Sequence, residues 1–332
     1  MGVDLKDIIM KDEIDLARLN GKVLSVDALN ALYQFLAIIR QRDGDVLKDS
    51  SGRTTSHISG LFYRTINLLE LGIRPVYVFD GVPPEAKIRT LRQRQETKDT
   101  ARKKAIRAKV EGRERDYAKY SQQVLHFSKD MIGEAKELLA LMGLPCIDAP
   151  SEGEAQASHM CSVDPKVYAV ASQDYDSLLF GAPVLVRNVT ITGRRKLPGK
   201  NIYREVVPET IVLSDVLSGL GIDREKLVEI GLLIGTDYNE GIKGVGPKSA
   251  IDIVKTGKFN DYDIDPGVKD LFLNPDITDD YSFSFSMPDD DGLYSFLCDE
   301  REFSHLRVER ALERLRKGIE SVTKQETLDQ WF

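Results

Sequence analysis

"KVYAVASQDYDSLLF", Lys166 to Phe180, decides the fold. Its opening run is apolar, of strand length and too short for a helix. It leads into Asp174 and Asp176, one residue apart, and a second apolar patch follows at once. Two like charges at the end of a buried strand repel each other and lose hydration, so the chain must supply something to neutralise them. The same device recurs upstream: "KVLSVD" (22–27) and "RPVYVFD" (74–80) are also apolar runs that end in aspartate.

Between these runs the pattern is helical. "ALNALYQFLAIIRQ" after Asp27, "HISGLFYRTINLLELG" closing at Gly72, "DMIGEAKELLALMGL" stopping near Gly143 and "EGEAQASHMC" predict helices, and "PCIDAP" predicts a brief strand. Strands that alternate with helices and read as continuous apolar runs predict an α/β fold, a mainly parallel twisted sheet with helices on both faces. In such sheets ligands sit at the carboxyl ends of the strands. Asp27, Asp80, Asp174 and Asp176 are therefore expected on one edge, with Glu152 and Glu154 of "APSEGEAQA" at the next strand-to-helix passage. Asp237 in "LLIGTDYNEGIKG" is a plausible seventh. Singly, each acid reads as a helix cap or first-turn residue. Together, without matching bases in those segments, they call for a divalent cation.

Oxygen-only ligands select Mg²⁺ or Mn²⁺ over Zn²⁺. Seven carboxylates are too many for one such ion, whereas two ions about 4 Å apart clamp the attacking and leaving oxygens of a phosphodiester. The expected reaction is phosphodiester hydrolysis.

Composition narrows the class. The chain has 332 residues, 42% of them hydrophobic, enough for a sizeable core. No run of about 18 uncharged apolar residues predicts a membrane span, the acidic start reads as no signal peptide, and a cytoplasmic protein is expected. Three scattered cysteines and four histidines form neither a disulfide framework nor a zinc pattern. The net charge is −7, yet residues 86–120 hold thirteen Lys or Arg against five Asp or Glu. That segment continues to about residue 130 without strand signals, which predicts a basic pair of helices standing off the sheet edge. Lys87 and Arg94, two turns apart, are placed to lean over the acids and reach the phosphate, with Tyr117 and Tyr120 available for base stacking. "GIKGVGPKSAIDIVKTG" (241–257) has the form of a glycine hairpin whose amides and Lys248 meet consecutive phosphates, and it is not a Walker A sequence. The tail "QETLDQWF" sets Gln325, Leu328, Trp331 and Phe332 as a polar anchor and a one-turn apolar plug for a partner groove.

"SVDALNALYQFLAIIRQ", "TTSHISGLFYRTINLLELGIRPVYVFDGVPPEAK", "PSEGEAQA", "SQDYDSLLFG", "IGTDYNEGIKGVGPKSA" and "QETLDQWF", in this order across nearly the whole chain, resemble a flap endonuclease of the structure-specific 5′ nuclease (XPG/RAD2-type) superfamily, most similar to its archaeal members. The resemblance implies a PIN-like nuclease domain with a helical arch and a helix-two-turn-helix element. Its parts would be residues 1–98 and 117–258 as nuclease domain, the arch at 87–130, the helix-two-turn-helix at about 235–257, C-terminal helices within 259–322, and a tail at 323–332 that docks on the sliding clamp (PCNA). Within 259–322 the acidic stretch at 274–297, with its alternating Phe and Ser, departs from the family's pattern and predicts a small hairpin. It implies a Mg²⁺-dependent 5′ flap endonuclease and 5′–3′ exonuclease, a hydrolase acting on ester bonds of branched DNA in replication and repair.

By the same resemblance Asp27, Asp80, Glu152 and Glu154 serve one ion and Asp174, Asp176 and Asp237 the other. Lys87 and Arg94 match the basic pair at the base of the arch, and Tyr33 matches the residue that stacks on the base beside the scissile phosphate. Arg40 and Arg64 match DNA contacts, Thr54 and Thr55 lie in the loop of a 3′-flap pocket, and Gly2 is the processed N-terminus near the active site. Gly235, Gly244, Gly246 and Lys248 belong to the element that grips the duplex and usually holds K⁺. A monomer is expected. The basic tail of eukaryotic members is missing, so no nuclear address is read. Rival readings are a junction resolvase of the same superfamily, a phosphatase using an aspartyl nucleophile, which Leu178 disfavours, and a non-catalytic scaffold.

Overall fold

A computed structural model describes residues 2–41, 44–113, 116–117, 120, 127–191, 193–196 and 203–329. Its strands, in chain order, are β1 (Asp12–Glu13), β2 (Val23–Asp27), β3 (Arg74–Phe79), β4 (Cys146–Asp148), β5 (Val167–Ala171), β6 (Val184–Arg187), β7 (Gly193–Lys196), β8 (Tyr203–Val206) and β9 (Glu209–Val212). One sheet runs β1-β9-β6-β5-β2-β3-β4. From β6 to β4 all neighbours are parallel, while β9 and β1 add antiparallel strands at one edge. The mainly parallel sheet is as expected, but the antiparallel edge and the separate β7–β8 hairpin were not legible in the sequence.

Of the central strands, β2 and β3 expose no residue and β5 exposes only Tyr168. Parallel strands covered on both faces are largely apolar, which is why these runs do not alternate. The large buried polar side chains within them are satisfied: Arg74 donates to Gly21 O at 2.7 Å, and the Tyr77 hydroxyl shares a 2.7 Å hydrogen bond with Thr65 Oγ1.

The flanking helices are α1 (Ala28–Ile38), α2 (Ser56–Glu70), α3 (Glu85–Val110), α4 (Lys129–Leu141), α5 (Gly153–Val163), α6 (Asp176–Leu179), α7 (Leu213–Leu220), α8 (Arg224–Ile234), α9 (Pro247–Lys255), α10 (Pro266–Leu273), α11 (Asp290–Tyr294) and α12 (His305–Asp329). The expected basic helix is α3, 26 residues long. Among its described side chains it buries Ala101, Ala105 and Ala108, a narrow alanine seam. Its expected partner lies largely outside the described residues.

The expected small hairpin in 274–297 is corrected. Residues 274–289 form no strand; they are an extended strap. Buried Gln156 on α5 exchanges two 2.8 Å hydrogen bonds with the main chain of Thr278, and Ser286 N–H donates to Gly143 O at 3.0 Å. The Phe and Tyr residues of the strap pack on the core instead of pairing across a turn. Among the described residues no helix is long and apolar enough to cross a membrane.

Candidate active site

Parallel strands in register bring their carboxyl ends to one edge, and the expected acids lie along it. Asp27 ends β2, whose register sets it opposite Val78 of β3, two residues before Asp80. Gly81 N–H donates to Ser151 O (2.6 Å) and Val82 N–H to Pro150 O (3.1 Å), which ties the exit of β3 to the segment carrying Glu152 and Glu154. Asp174 and Asp176 follow β5, the other neighbour of β2.

The capping reading and the site reading hold together. Asp27 Oδ1 accepts the Asn30 N–H at 3.0 Å and so caps α1. Asp80 Oδ1 accepts the Gly153 N–H at 2.8 Å, the first amide of α5. Both carboxylates are aimed by the helix amides they satisfy. Glu154 Oε1 accepts from Ser177 Oγ at 2.5 Å, and Asp176 Oδ1 accepts the Val3 N–H at 2.7 Å. The N-terminal strand of chain thus lies against Asp174 and Asp176: a Cβ on Gly2 would stand 2.9 Å from Asp174 Cβ and Asp176 Cγ, so only glycine fits.

Burial makes this cluster electrostatically expensive. Asp27, Glu152 and Asp176 are 8%, 8% and 4% exposed. Burial, helped by the charge of Asp80, pushes Asp27 up to about 7. Burial likewise pushes Asp176 up to about 7, with Asp237 and Asp174 adding to it and the Val3 amide opposing it. Glu154 is raised well above the carboxylate range by burial and by Asp176, and burial also raises Asp80 and Glu152. Asp237 contributes its charge to Asp80, Glu152 and Asp176.

Lys87 sits among these acids. Its Nζ pairs with Glu152 Oε2 and lies 5.9 Å from the ring centre of Tyr238. Burial works against its charge, but Glu152 and Asp80 outweigh that and hold the ammonium above its ordinary value. One ammonium does not balance seven carboxylates, and the donor set is all oxygen, so the residues present fit hard divalent ions. Among the described residues no three such side chains close on one point as a complete ligand cage. A Mg²⁺ ion held by one or two carboxylates, waters and substrate phosphate oxygens needs none.

The other expected residues divide. Tyr33 lies 37% exposed on α1, its ring 5.5 Å from that of Phe127. Arg40 braces its own loop, donating to Ala37 O at 3.2 Å and Gly44 O at 2.7 Å, and Arg64 is half-buried on α2. Thr54 and Thr55 stand in a loop folded back on itself through Lys48 and Leu47, and Ser50 N–H ties that loop to Glu302 at 2.8 Å. Tyr117 hydrogen-bonds Asp45, and Tyr120 lies under Lys104 Nζ at 5.8 Å. Gly235 (φ 110°) turns the chain from α8 toward Asp237, and Gly244 and Gly246 lead to exposed Lys248 in the first turn of α9. The side chains of Arg94, Gln325 and Leu328, and Trp331 and Phe332 entirely, lie outside the described residues.

Sequence reasoning missed the hydrogen-bonding residues around the acids. Asn30, Ser172, Ser177 and Tyr238 all touch or face the cluster, and their one sequence signal is adjacency to an acid: Asn30 three residues after Asp27, the others within two of Asp174, Asp176 or Asp237.

Comparison with known proteins agrees with this geometry. Residues 1–101 match the XPG N-terminal domain and residues 143–237 the XPG I-region. The chain is 54% identical to flap endonuclease 1 of Thermococcus onnurineus over 340 aligned positions, covering 100% of this chain and 99% of that one. It is equally 54% identical to flap endonuclease 1 of Pyrococcus furiosus, again over 100% and 99%. Among solved structures it superposes on flap endonuclease-1 from Methanococcus jannaschii with a TM-score of 0.78 at 40% identity, covering 96% and 99% of the two chains. The catalytic core of Rad2 in complex with a DNA substrate gives a TM-score of 0.69 at 28% identity, covering 95% and 100%.

Proposed function

Because this chain belongs to the flap endonuclease 1 family, we propose that the acidic sheet edge is its active centre and that it cuts 5′ flaps and other branched DNA by phosphodiester hydrolysis. It is a nuclease of a metal-dependent family that generally uses Mg²⁺. The observation that carries the assignment of the site is the gathering around Lys87 of carboxylates from four separate segments, Asp27, Asp80, Glu152 and Asp237.

Asp27, Asp80, Glu152 and Glu154 would serve one divalent ion and Asp174, Asp176 and Asp237 a second, one or two of each set directly and the rest through the ion's waters. Bound there, the ions would lower the pKa of a water and neutralise the oxygens of the scissile phosphate. The chain's own residues do the rest. Lys87, held charged by Glu152 and Asp80, offers an ammonium to the phosphate as its charge develops. Arg94, two turns further along α3, is assigned the same duty. Tyr33 stacks on the neighbouring base, Arg40 and Arg64 flank the DNA, and the braced loop with Thr54 and Thr55 receives a 3′ flap. Gly235, Gly244, Gly246 and Lys248 grip the duplex backbone, with K⁺ in the turn. Gln325, Leu328, Trp331 and Phe332 dock on the sliding clamp, and the enzyme acts as a monomer.

A 5′-labelled double-flap DNA compared with single-stranded and blunt duplex DNA, in Mg²⁺ or EDTA, tests the core of this reading. Wild type should cut the flap near its junction only with Mg²⁺, and Asp176→Ala should not. Equal cutting of all three DNAs, or normal cutting by the variant, overturns it.

A further inference from the structure

The acids are held by a polar lattice, and one residue of it spans the two halves of the cluster. Asn30 lies one turn into α1. Its main-chain N–H donates to Asp27 Oδ1 at 3.0 Å, while its side-chain Nδ2 donates to Asp174 Oδ2 at 3.1 Å. Its Oδ1 accepts the Gln173 N–H at 3.3 Å and a hydrogen bond from Gln34 Nε2. Gln34 in turn accepts from Thr190 Oγ1 at 3.0 Å, and Thr190 is buried. The amide orientation of Asn30 is therefore set by its partners: with the oxygen engaged by two N–H donors, the NH₂ group must face Asp174. Ser172 makes a second, parallel tie, donating to Asp27 Oδ2 at 3.3 Å and accepting the Asp174 N–H at 3.2 Å.

This arrangement does something that neither carboxylate can do alone. Asp27 stands at the end of β2 and Asp174 on the loop after β5, so their separation depends on two chain segments. Asn30 joins both to one rigid helical turn and also pins the backbone just before Asp174. It takes one lone pair of Asp174 Oδ2, leaving Oδ1 and the remaining lone pair of Oδ2 to an ion. An asparagine does this without adding charge to a cluster already overloaded with carboxylates.

We propose that Asn30, oriented by Gln34, is a positioning residue that fixes Asp174 relative to Asp27 and so sets the affinity for the divalent ion bound by Asp174 and the spacing of the two ions. The proposal rests on the two-ion reading above. Partners that orient metal ligands typically contribute about 10- to 100-fold in metal affinity. Such a residue should move metal dependence first and the chemical step little.

The test uses the full-length chain and Mn²⁺ as a paramagnetic probe, counting bound ions and their affinities by titration, alongside flap cutting as a function of Mg²⁺. Asn30→Leu, with the same branching but without the amide, should weaken at least one Mn²⁺ site by about tenfold or more and raise half-saturating Mg²⁺ by a similar factor. Its kcat at saturating Mg²⁺ should stay within about threefold of wild type. Gln34→Leu, which leaves Asn30 in place but unoriented, should shift both in the same direction by a smaller factor, and it carries the test if Asn30→Leu does not fold. Unchanged Mn²⁺ affinities and Mg²⁺ dependence in the folded variants overturn the proposal, as does a fall in kcat with metal dependence unmoved. A wild type that takes up a single Mn²⁺ overturns the two-ion reading instead, and Asn30 is then judged by its effect on that ion.

Discussion

Asp27→Asn should make the metal-free protein more stable while destroying its activity. The folded state holds Asp27 at about 7 against an ordinary 3.8, chiefly through burial. A raised carboxyl pKa means that the folded state keeps a proton the unfolded chain releases. The resulting penalty is absent below about pH 4, grows as pH rises from about 4 to 7, and is complete above about 7. Three pKa units correspond to about 4 kcal/mol. Asparagine keeps the cap on α1, because its Oδ1 can accept the Asn30 N–H as Asp27 does now. In EDTA the variant should match wild type near pH 4 and exceed it by up to about 4 kcal/mol at pH 8, which for a chain of this size is roughly 5–10 °C in Tm. Thermal melts in EDTA from pH 5 to 8 read this directly. Adding Mg²⁺ should raise the wild-type Tm more than the variant's, since the ion binds only the folded cluster and finds one ligand fewer. A variant whose Tm lies below wild type by a constant amount over the whole range would refute the reasoning: Asp27 would then be a structural cap and nothing more.

Lys87→Ala removes the ammonium paired with Glu152, and kcat on flap DNA should fall by about a hundredfold or more with DNA affinity changed little, measured in single-turnover cutting and separate binding titrations. Gly2→Ala forces a methyl group to within 2.9 Å of Asp174 and Asp176, and the displaced carboxylates should cost on the order of tenfold or more in cutting rate while the Tm in EDTA changes by a degree or two at most. Replacing Trp331 and Phe332 by Ala should abolish stimulation of cutting by the sliding clamp and leave cutting by the enzyme alone as it was; equal stimulation would remove the docking role.

The strands were legible because burial on both faces leaves no room for polar residues. Val23–Asp27, Arg74–Phe79 and Val167–Ala171 each read as a short, mostly apolar run without alternation, and parallel pairing then places the residues that follow them. The edge strands were not legible. β1 is two exposed residues and β9 four mostly half-buried ones, polar enough to pass for loop, and only the pairing of β1 with β9 and of β9 with β6 makes them strands. The alternating Phe and Ser of 282–286 look like a hairpin for the opposite reason: period-2 alternation signals one buried face, and here that face packs on the core while the main chain is tied to Gln156 of α5 and to Leu141 and Gly143 at the end of α4, with no partner strand.

The α/β class and the meeting of Asp27, Asp80, Glu152, Glu154, Asp174 and Asp176 could be read from the residues alone, because these acids follow strand ends along the chain, whereas Asp237 follows helix α8. Tertiary structure alone decided what holds those carboxylates in place. Asn30 reaches Asp174 across 144 positions, Val3 reaches Asp176 across 173, and Lys87 reaches Glu152 across 65. A hydrogen bond between distant segments leaves no periodicity in either one. Its partners become visible only when the sheet has brought them within about 3 Å.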